Sequence, residues 1–458
     1  MDITVNSKIM NNKAFYKMAL TLVMPMALQN LINVGITSID VLMLGKVSEI
    51  VLSGASLAGQ VQFIMTLIFF GLTSGAAVLT AQYWGKGDTK SIETIMGICM
   101  RFSLLVALLF TTAVLLFPTQ IMSIFTSEAP VIAEGGKYLR IVALSYVLMA
   151  ITMIYLNVMR SVERVVVSTV VYLVSLIINV IIASLLIFGL FGFPKLGIQG
   201  AAIATFASRV VELLCVFIYA KKYNKVIHFK FKSLFIRDKF LFKDFLVYSI
   251  PVTLNELMWG AGVAMNAVVL GHLGSSVVSA NSVAQITRQL ATVIAFGLAN
   301  ATAITVGKAI GENNLEAAKD YSKRFIKLSL LAGVAGAIVI LIVRPIIMSV
   351  LNLSPVTQGY LSTMMYVMSY FVIAQALNTT LIVGVFRAGG DTKFGLFIDI
   401  TTMWCGSIAI GLLAAFVFKW SVPIVYIILM SDELIKIPLT VWRYKSKKWL
   451  NNVTRDLM

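Results

Sequence analysis

About twelve apolar stretches follow one another along the chain, and each is long enough to cross a membrane as a helix of about 20 residues. Backbone polar groups in lipid must be satisfied within the chain, so only helices and closed barrels cross it. Barrel strands are short and alternate strictly, which these stretches do not. With 59% hydrophobic residues and a mean hydropathy of +0.92, the sequence predicts an all-α polytopic membrane protein. The predicted transmembrane helices are 15–44, 51–84, 92–117, 132–158, 164–191, 196–221, 246–271, 277–308, 322–348, 356–386, 394–417 and 421–443.

The net charge of +17 is concentrated in alternate loops, above all in residues 221–243 and 443–455. Loops rich in lysine and arginine stay on the cytoplasmic side of a membrane. The distribution therefore predicts a multi-pass protein of the plasma or inner membrane with both termini in the cytoplasm. It argues against binding of nucleic acid and indicates contact with anionic membrane lipids.

The two halves of the sequence repeat each other. Residues 221–244, the longest polar interruption, separate six predicted helices from six, so both repeats have the same orientation in the membrane. Transporters with such repeats bind substrate between the halves. We predict a monomer with an N-lobe of residues 1–221, a basic linker of 222–245 and a C-lobe of 246–458. The matching positions are Pro25 and Pro251, Gly45 and Gly271, Gly71 and Gly297, and Gly85 and Gly311 at an offset of 226, and Arg160 and Arg387 at an offset of 227.

One face of the first predicted helix carries a polar stripe that ends in a carboxylate. Gln29, Asn33 and Asp40 are spaced by four and seven residues, which places them on one side of an α-helix. Pro25 lies one turn earlier and removes a backbone donor, so we expect a bend there. An intramembrane carboxylate is costly and usually faces a polar cavity. Asp40 is therefore a candidate proton or cation site, with a structural hydrogen bond or a helix cap as the alternative.

The seventh predicted helix places Glu256 deep in the membrane, next to Asn255 and after Pro251. With a helix start near residue 246, Glu256 lies about 15 Å along the helix axis. Burial disfavours the charged form of a carboxyl group, so this group can exchange protons near neutral pH or bind a cation when ionised. The alternative is an internal ion pair with a buried arginine such as Arg288 or Arg209.

Other polar side chains in the predicted helices are weaker candidates. Glu212 and Arg209 are three positions apart, a spacing that favours a local pair. Asp399 is interpreted as structural, and the charged residues of segment 432–436 as a local cluster. We assign structural or gating roles to the repeated prolines and arginines, Pro25, Pro251, Arg160 and Arg387. The side chains expected to line a substrate or ion cavity are Gln29, Asn33, Asn157, Asn179, Asn255, Asn281, Gln285 and Gln375.

The sequence contains no catalytic constellation and no cofactor motif. The three cysteines fall in apolar stretches, the two histidines are far apart, and there is no phosphate-binding GxxxxGK[ST] loop. We therefore expect neither an enzyme nor a metal centre nor an ATP-driven pump. The intramembrane carboxylates favour a secondary transporter that exchanges its substrate for a coupling ion, H⁺ or Na⁺.

Four segments resemble those of the multidrug and toxic compound extrusion (MATE) family, and the likeness covers nearly the whole chain. The resemblance implies a V-shaped bundle of two six-helix lobes that opens alternately to each side of the membrane. It implies export of bulky, amphipathic, often cationic compounds in exchange for protons or sodium ions. It also implies coupling roles for Asp40, which matches the family's first-helix acid, and Glu256, which matches the seventh-helix acid of sodium-binding branches. The segments are 25–45, 71–88, 251–259 and 384–392.

Two positions depart from the family's pattern. Some members carry an acid four residues after the fifth-helix Asn179, where this chain has Ala183. Sodium-type members carry an acid eleven residues before Arg387, where this chain has Ala376. These losses leave the coupling ion open but favour H⁺. The rival interpretation is a flippase for lipid-linked saccharides in the same broad superfamily, which needs a basic cavity for a pyrophosphate head.

Overall fold

A computed structural model describes residues 9–227, 234–236, 238–351 and 353–455 of the chain. Helices account for most of these residues, and no strand occurs among them. Ten helices in this part of the chain are long and apolar enough to cross a membrane. The all-α, multi-pass architecture predicted from the sequence is thereby confirmed. Residues 228–233 and 237 of the predicted linker lie outside the described residues.

Six long helices form the first half of the chain, and their bounds match the predicted segments to within a few residues. A short helix, Pro118–Phe125, precedes the fourth, which contains a tighter 3₁₀ turn at Ala143–Ser145. The six are α1 (Asn12–Gly45), α2 (Glu49–Lys86), α3 (Thr89–Leu116), α4 (Ala129–Ser161), α5 (Val165–Phe188) and α6 (Ile198–Tyr223).

The described residues of the second half also form six helices, of which four belong to the ten candidate spans and the last is interrupted. They are α7 (Lys239–His272), α8 (Ser275–Gly311), α9 (Leu315–Val350), α10 (Pro355–Phe386), α11 (Thr392–Val417) and α12, which consists of Val422–Leu429 and Asp432–Lys445.

Polar residues in short connections begin several of these helices. The Asp88 side chain accepts a hydrogen bond from the Ser91 backbone N–H at 3.1 Å at the start of α3. Ser354 caps α10 and is followed by Pro355, whose missing N–H costs nothing at the first helical position. Gly189 ends α5 with a φ of 71°, a left-handed conformation that glycine adopts without strain.

Two predictions for the second half need correction. α7 begins at Lys239 rather than near residue 246, so Glu256 lies about 26 Å along it, yet it is still at the middle of this 34-residue helix. The predicted helix 421–443 is broken between Leu429 and Asp432. The second piece begins with two acidic residues, which are favoured at a helix N-terminus and which both contact Lys436 one turn later.

The helices group into two compact units. The C-unit comprises residues within 1–27, 77–87 and 254–458, and the N-unit comprises residues within 28–76 and 88–253. This division passes through α1, α2 and α7, whereas the predicted lobes 1–221 and 246–458 divide the chain between helices. The predicted lobe boundaries stay a prediction.

Within the C-unit, α2 and α8 cross at two glycines that match at the 226-residue offset. A Cβ atom at Gly85 would lie 2.0 Å from the carbonyl oxygen of Lys308, and one at Gly311 would lie 1.9 Å from that of Gln82. Lys308 and Gln82 are also 226 positions apart, so the crossing is reciprocal. Only glycine allows the two backbones to approach this closely.

A second reciprocal contact uses the other repeated glycines. In the N-unit, a Cβ atom at Gly71 of α2 would lie 2.4 Å from the Cα atom of Thr253 in α7. In the C-unit, a Cβ atom at Gly297 of α8 would lie 3.3 Å from the backbone nitrogen of Ala27 in α1. Thr253 and Ala27 correspond at the same offset. The repeat seen in the sequence therefore marks equivalent helix contacts.

Residues 449–455, the tail segment, pack against the end of α2 in the C-unit. Trp449 is 1% exposed. The Gln82 side chain donates a hydrogen bond to the carbonyl oxygen of Asn451 at 3.1 Å and accepts one from the Val453 N–H at 2.7 Å. It also donates to the carbonyl oxygen of Ala388, just beyond α10, at 2.7 Å. One amide thus joins three segments that are far apart in sequence.

We expect the Gly85→Ala substitution to destabilise the protein, because the added methyl group overlaps the α8 backbone. Overpacking of this kind costs about 1–3 kcal/mol. Gly59→Ala in the same helix is the matched control, since a Cβ atom there meets nothing within 4 Å. Thermal unfolding in detergent measures both variants. Equal midpoints for the two would contradict the close crossing.

Candidate functional site

Glu256 forms an ion pair with Arg387, which directly follows α10. The Arg387 Nη2 atom lies 2.7 Å from Glu256 Oε1, and the arginine is only 4% exposed. An ion pair for Glu256 was one of the two interpretations of the sequence, but its partner is neither Arg288 nor Arg209. The predicted coupling acid and a repeated arginine therefore meet directly.

The pair continues into a chain of polar contacts that ends on α12. Arg387 Nη2 also donates to Asn255 Oδ1 at 2.9 Å, and Asn255 Nδ2 donates to Asp399 Oδ2 at 2.5 Å. Asp399 Oδ1 lies 2.8 Å from Lys436 Nζ. Asp399 is therefore connected to Glu256 through Asn255 and Arg387, and its interpretation as structural stays a prediction.

Lys436 is 2% exposed and contacts three carboxylates. Besides Asp399, its Nζ atom lies 3.0 Å from Asp432 Oδ2 and 3.2 Å from Glu433 Oε1. Glu433 in turn accepts a hydrogen bond from Asn378 Nδ2 at 2.7 Å. The cluster at 432–436, interpreted as local, thus belongs to one charge network, which consists of Glu256, Arg387, Asn255, Asp399, Lys436, Asp432 and Glu433.

Two segments of wider π-type winding border this charge network. One, Thr380–Phe386, ends just before Arg387, and the other, Ile400–Ile408, begins just after Asp399. Such segments occur frequently at functional sites. They change the helical period, so the spacing of residues along α10 and α11 does not give the faces that these side chains occupy.

Arg288 of α8 gathers three of the predicted cavity residues into a second cluster in the C-unit. Its Nε atom donates to Gln285 Oε1 at 2.8 Å and its Nη1 atom to Gln375 Oε1 at 3.0 Å. Asn281 lies one turn from Gln285, with a 3.5 Å contact between the two amides. The guanidinium also lies 5.8 Å from the centroid of the Phe371 ring. Three of the predicted cavity residues therefore lie around the positive charge of Arg288.

In the N-unit, Asp40 lies near a second arginine–carboxylate pair. Asp40 is half-buried and interacts electrostatically with Arg209, whose Nη1 atom lies 2.7 Å from Glu212 Oε1. The Arg209–Glu212 spacing therefore gives the local pair that was predicted. Glu212 also accepts a hydrogen bond from Ser175 at 2.7 Å. Asn179, one turn beyond Ser175, is buried, and its Oδ1 has no hydrogen-bond partner among the described residues.

The residues of the polar stripe predicted on α1 lie in different environments. Gln29 is buried and accepts a hydrogen bond from the Ser168 hydroxyl at 3.2 Å, whereas Asn33 is exposed. Asp40 lies inside α1, which ends at Gly45, so it is not a helix cap. Helical winding continues through Pro25, and the bend expected there stays a prediction.

Two of the remaining predicted residues lie on α4 and one lies on α7. Asn157 and Arg160 are half-buried near the end of α4, where Arg160 interacts electrostatically with Tyr172 of α5. Pro251 lies inside α7, one turn before Asn255. Gating roles for the prolines and arginines stay predictions.

The residues missed in the sequence carry a repeat signal. Arg209 and Lys436 match at the offset of 227 that relates Arg160 to Arg387, and so do Tyr172 and Asp399. Extending the match of arginines into the last helix of each half would have singled out Lys436. Both halves thus share these two basic positions, whereas Arg288 corresponds to Gln62 at the offset of 226.

The sequence matches the family model MatE over residues 25–185 and 251–413. It is 28% identical to a probable multidrug resistance protein NorM of Rhizobium meliloti (strain 1021) over 306 residues, which is 66% of this chain but 65% of that protein's length. It is 21% identical to a probable multidrug resistance protein NorM of Thermotoga maritima over 436 residues, 94% of this chain and 93% of that protein.

Solved structures share the fold. A MOP superfamily transporter from Pyrococcus furiosus superposes with a TM-score of 0.85 at 17% identity, covering 94% of this chain and 96% of that one. An outward-facing multidrug resistance MATE family transporter superposes with a TM-score of 0.84 at 18% identity, covering 95% of this chain and 97% of that one. At these identities the likeness shows the fold alone.

We expect Arg387→Met to destabilise the protein by about 3–5 kcal/mol, because it leaves Glu256 as a buried charge without its partner. Adding Glu256→Gln removes that charge, so the double variant should be more stable than Arg387→Met alone. Thermal unfolding of the wild type, both single variants and the double variant gives the coupling energy. If the stability losses of the two single variants add up in the double variant, Glu256 and Arg387 do not act as a unit.

Proposed function

Because the chain belongs to the MATE family of transporters, we propose that it is a secondary active multidrug exporter. It exchanges amphipathic, often cationic organic compounds for H⁺ or Na⁺ by alternating access. Relatives described as multidrug resistance proteins support this assignment. The observation that carries it is the ion pair between Glu256 and Arg387 at the middle of α7.

The Glu256–Arg387 pair has the chemistry that ion exchange requires. Arg387 neutralises Glu256 as long as no other cation does. A proton or a sodium ion on Glu256 removes the partner of a buried guanidinium, which costs several kcal/mol unless the surroundings rearrange. Binding of the coupling ion therefore changes the relative free energies of conformations that hold Arg387 differently. Such a differential affinity is what couples an ion to a conformational change.

Asp40 takes the corresponding role in the N-unit. It is half-buried and near Arg209, whose charge is already shared with Glu212. Asp40 is thus less firmly neutralised than Glu256 and offers a carboxylate to a cationic substrate or to a proton. Competition of substrate and proton for one carboxylate drives export by proton entry.

Protons are the favoured coupling ion. Ala183 and Ala376 stand where some family members carry acids, and both are 0% exposed. Neither alanine side chain offers an oxygen ligand, whereas a proton needs only one carboxylate. The chain acts as a monomer in the plasma membrane with both termini in the cytoplasm, which places the glycine crossing of α2 and α8 and the tail segment on the cytoplasmic side.

A flippase for lipid-linked saccharides is the second candidate, since basic side chains do occur inside the helices. Four of them are already engaged by other side chains: Arg209 by Glu212, Arg288 by two glutamines, Arg387 by Glu256, and Lys436 by three carboxylates. A pyrophosphate would have to displace these partners, so export of organic cations is the better assignment.

Ethidium efflux from proteoliposomes tests the proposal directly. The purified protein is reconstituted, and efflux is followed under an imposed pH gradient, an imposed Na⁺ gradient, or neither. Efflux under one gradient alone establishes antiport and identifies the ion. Absence of efflux under all three conditions would overturn the proposal and lead to tests with lipid-linked saccharides.

We expect Asp40→Asn and Glu256→Gln each to reduce gradient-driven ethidium efflux by about tenfold or more, the effect of losing roughly 1.4 kcal/mol of ion binding. Glu316→Gln is the control, because this exposed acid forms its salt bridge with Lys319, three positions away on the surface of α9. Expression and thermal stability are measured alongside to separate folding from transport. Full activity in both variants would disprove the coupling roles.

A further inference from the structure

Asn255 joins the Glu256–Arg387 pair to a second carboxylate with an orientation that its neighbours determine. Its Oδ1 atom faces the Arg387 guanidinium at 2.9 Å, and its Nδ2 atom faces Asp399 Oδ2 at 2.5 Å. Rotating the amide by 180° would place a donor against a cation and an acceptor against a carboxylate. Asn255 therefore holds Arg387 on one side and Asp399 on the other.

Asp399 divides its negative charge between Asn255 and Lys436. Its Oδ2 atom accepts the hydrogen bond from Asn255, and its Oδ1 atom lies 2.8 Å from Lys436 Nζ. Lys436 is in turn shared with two further carboxylates on α12. The attraction that remains for Arg387 therefore depends on how much of the Asp399 charge Lys436 neutralises.

The charge network holds more acids than bases. Its four carboxylates face the two cations Arg387 and Lys436. Arg288 of α8 interacts electrostatically with Asp432 and Glu433 but is hydrogen-bonded to Gln285 and Gln375. Burial of excess negative charge is unfavourable, so a cation added at Glu256 brings the network nearer to neutrality. Arg387, when released from Glu256, is still linked through Asn255 to the carboxylate of Asp399.

We propose that Asn255, Asp399 and Lys436 are positioning residues that set how strongly Arg387 competes with the coupling cation for Glu256. Arg387 is drawn toward Glu256 on one side and toward Asp399 on the other. Lys436 weakens the second attraction by neutralising Asp399. The inference rests on the proposed coupling role of Glu256 and extends it to α11 and α12.

Removing the charge of Lys436 and removing the charge of Asp399 should shift the half-saturating concentration of the coupling cation in opposite directions. In Lys436→Met, Asp399 loses its ion-pair partner and attracts Arg387, so Glu256 becomes more available to the cation. In Asp399→Asn, nothing draws Arg387 away from Glu256, so the cation meets a stronger competitor. The measurement is the half-saturating concentration of protons, or of Na⁺ if the Na⁺ gradient alone drives efflux, for ethidium transport in proteoliposomes. We expect it to fall about fivefold in Lys436→Met and to rise about fivefold in Asp399→Asn, near the lower end of couplings between linked sites.

Three controls separate positioning from other effects. Lys436→Arg keeps the charge and should stay within about twofold of the wild type, a small change beside the couplings typical of linked sites. Asp391→Asn breaks the Asp391–Arg443 ion pair, 2.7 Å long and in the same unit, and should leave the half-saturating concentration unchanged. In the Arg387→Met background both shifts should disappear, because the competitor is absent. If that background folds poorly, Asn255→Leu removes the connection instead and should abolish the same shifts.

The remaining outcomes overturn the inference. Shifts in the same direction, or reduced maximal rates at an unchanged half-saturating concentration, would indicate a structural role only. If the half-saturating concentration still shifts in the Arg387→Met background, the cause is the long-range electric field of the substituted charges and not the position of Arg387. If cation-driven efflux survives in Glu256→Gln, the proposed coupling role of Glu256 is overturned. If efflux is lost in Glu256→Gln but the half-saturating concentration does not shift in the Lys436 and Asp399 variants, only the inference is overturned.

Discussion

The contact of Lys436 with three carboxylates is the interaction on which the polar interior of the C-unit depends. Asp399, Asp432 and Glu433 come from α11 and from the break in α12, and each lies within 3.2 Å of one ammonium group. Buried acids are tolerated only when a cation and hydrogen-bond donors satisfy them. Without Lys436, Asp432 and Glu433 would lose their direct ion pairs and keep the longer-range attraction of Arg288, and Asp399 would keep its hydrogen bond from Asn255. The network that reaches Glu256 exists because one lysine is shared.

The two halves place different acids around the same basic positions. Arg160 and Arg387 correspond, as do Arg209 and Lys436, yet Asn30 stands where the second half has Glu256. The first half instead has Glu212, one turn from Arg209. The two halves thus share two cationic positions and surround them with different acids. The C-unit carries a continuous chain of ion pairs and Asn255 hydrogen bonds, whereas Asp40 in the N-unit has a partner that is already occupied.

The sequence predicts most of the fold because its dominant constraint, apolar segments of membrane-spanning length, is local. The repeat was visible because glycines at close crossings cannot be replaced: Gly85 and Gly311 match in sequence for the same reason that they touch opposite backbones. The break in α12 was missed because an interruption of two residues leaves hydropathy unchanged.

The candidate site was less predictable. Helical periodicity identifies a face but not the neighbour across it, so Glu256 was recognised while its partner was not. Arg387 and Asp399 also border π-type segments, where the 3.6-residue period fails. Asp399 and Lys436 are 37 positions apart and become neighbours only through the packing of α11 against α12.

The composition of the two units bears on how the chain is made. Every segment of the N-unit lies between residues 28 and 253, so all its helices are available when α7 is still being synthesised. The C-unit needs the first half of α1 as well as Trp449 and its neighbours, which bind Gln82. The ribosome releases these parts at opposite ends of translation. The start of α1 therefore waits for α8, which it meets at Gly297, and the end of α2 waits for both α8 and the tail segment before its final contacts can form.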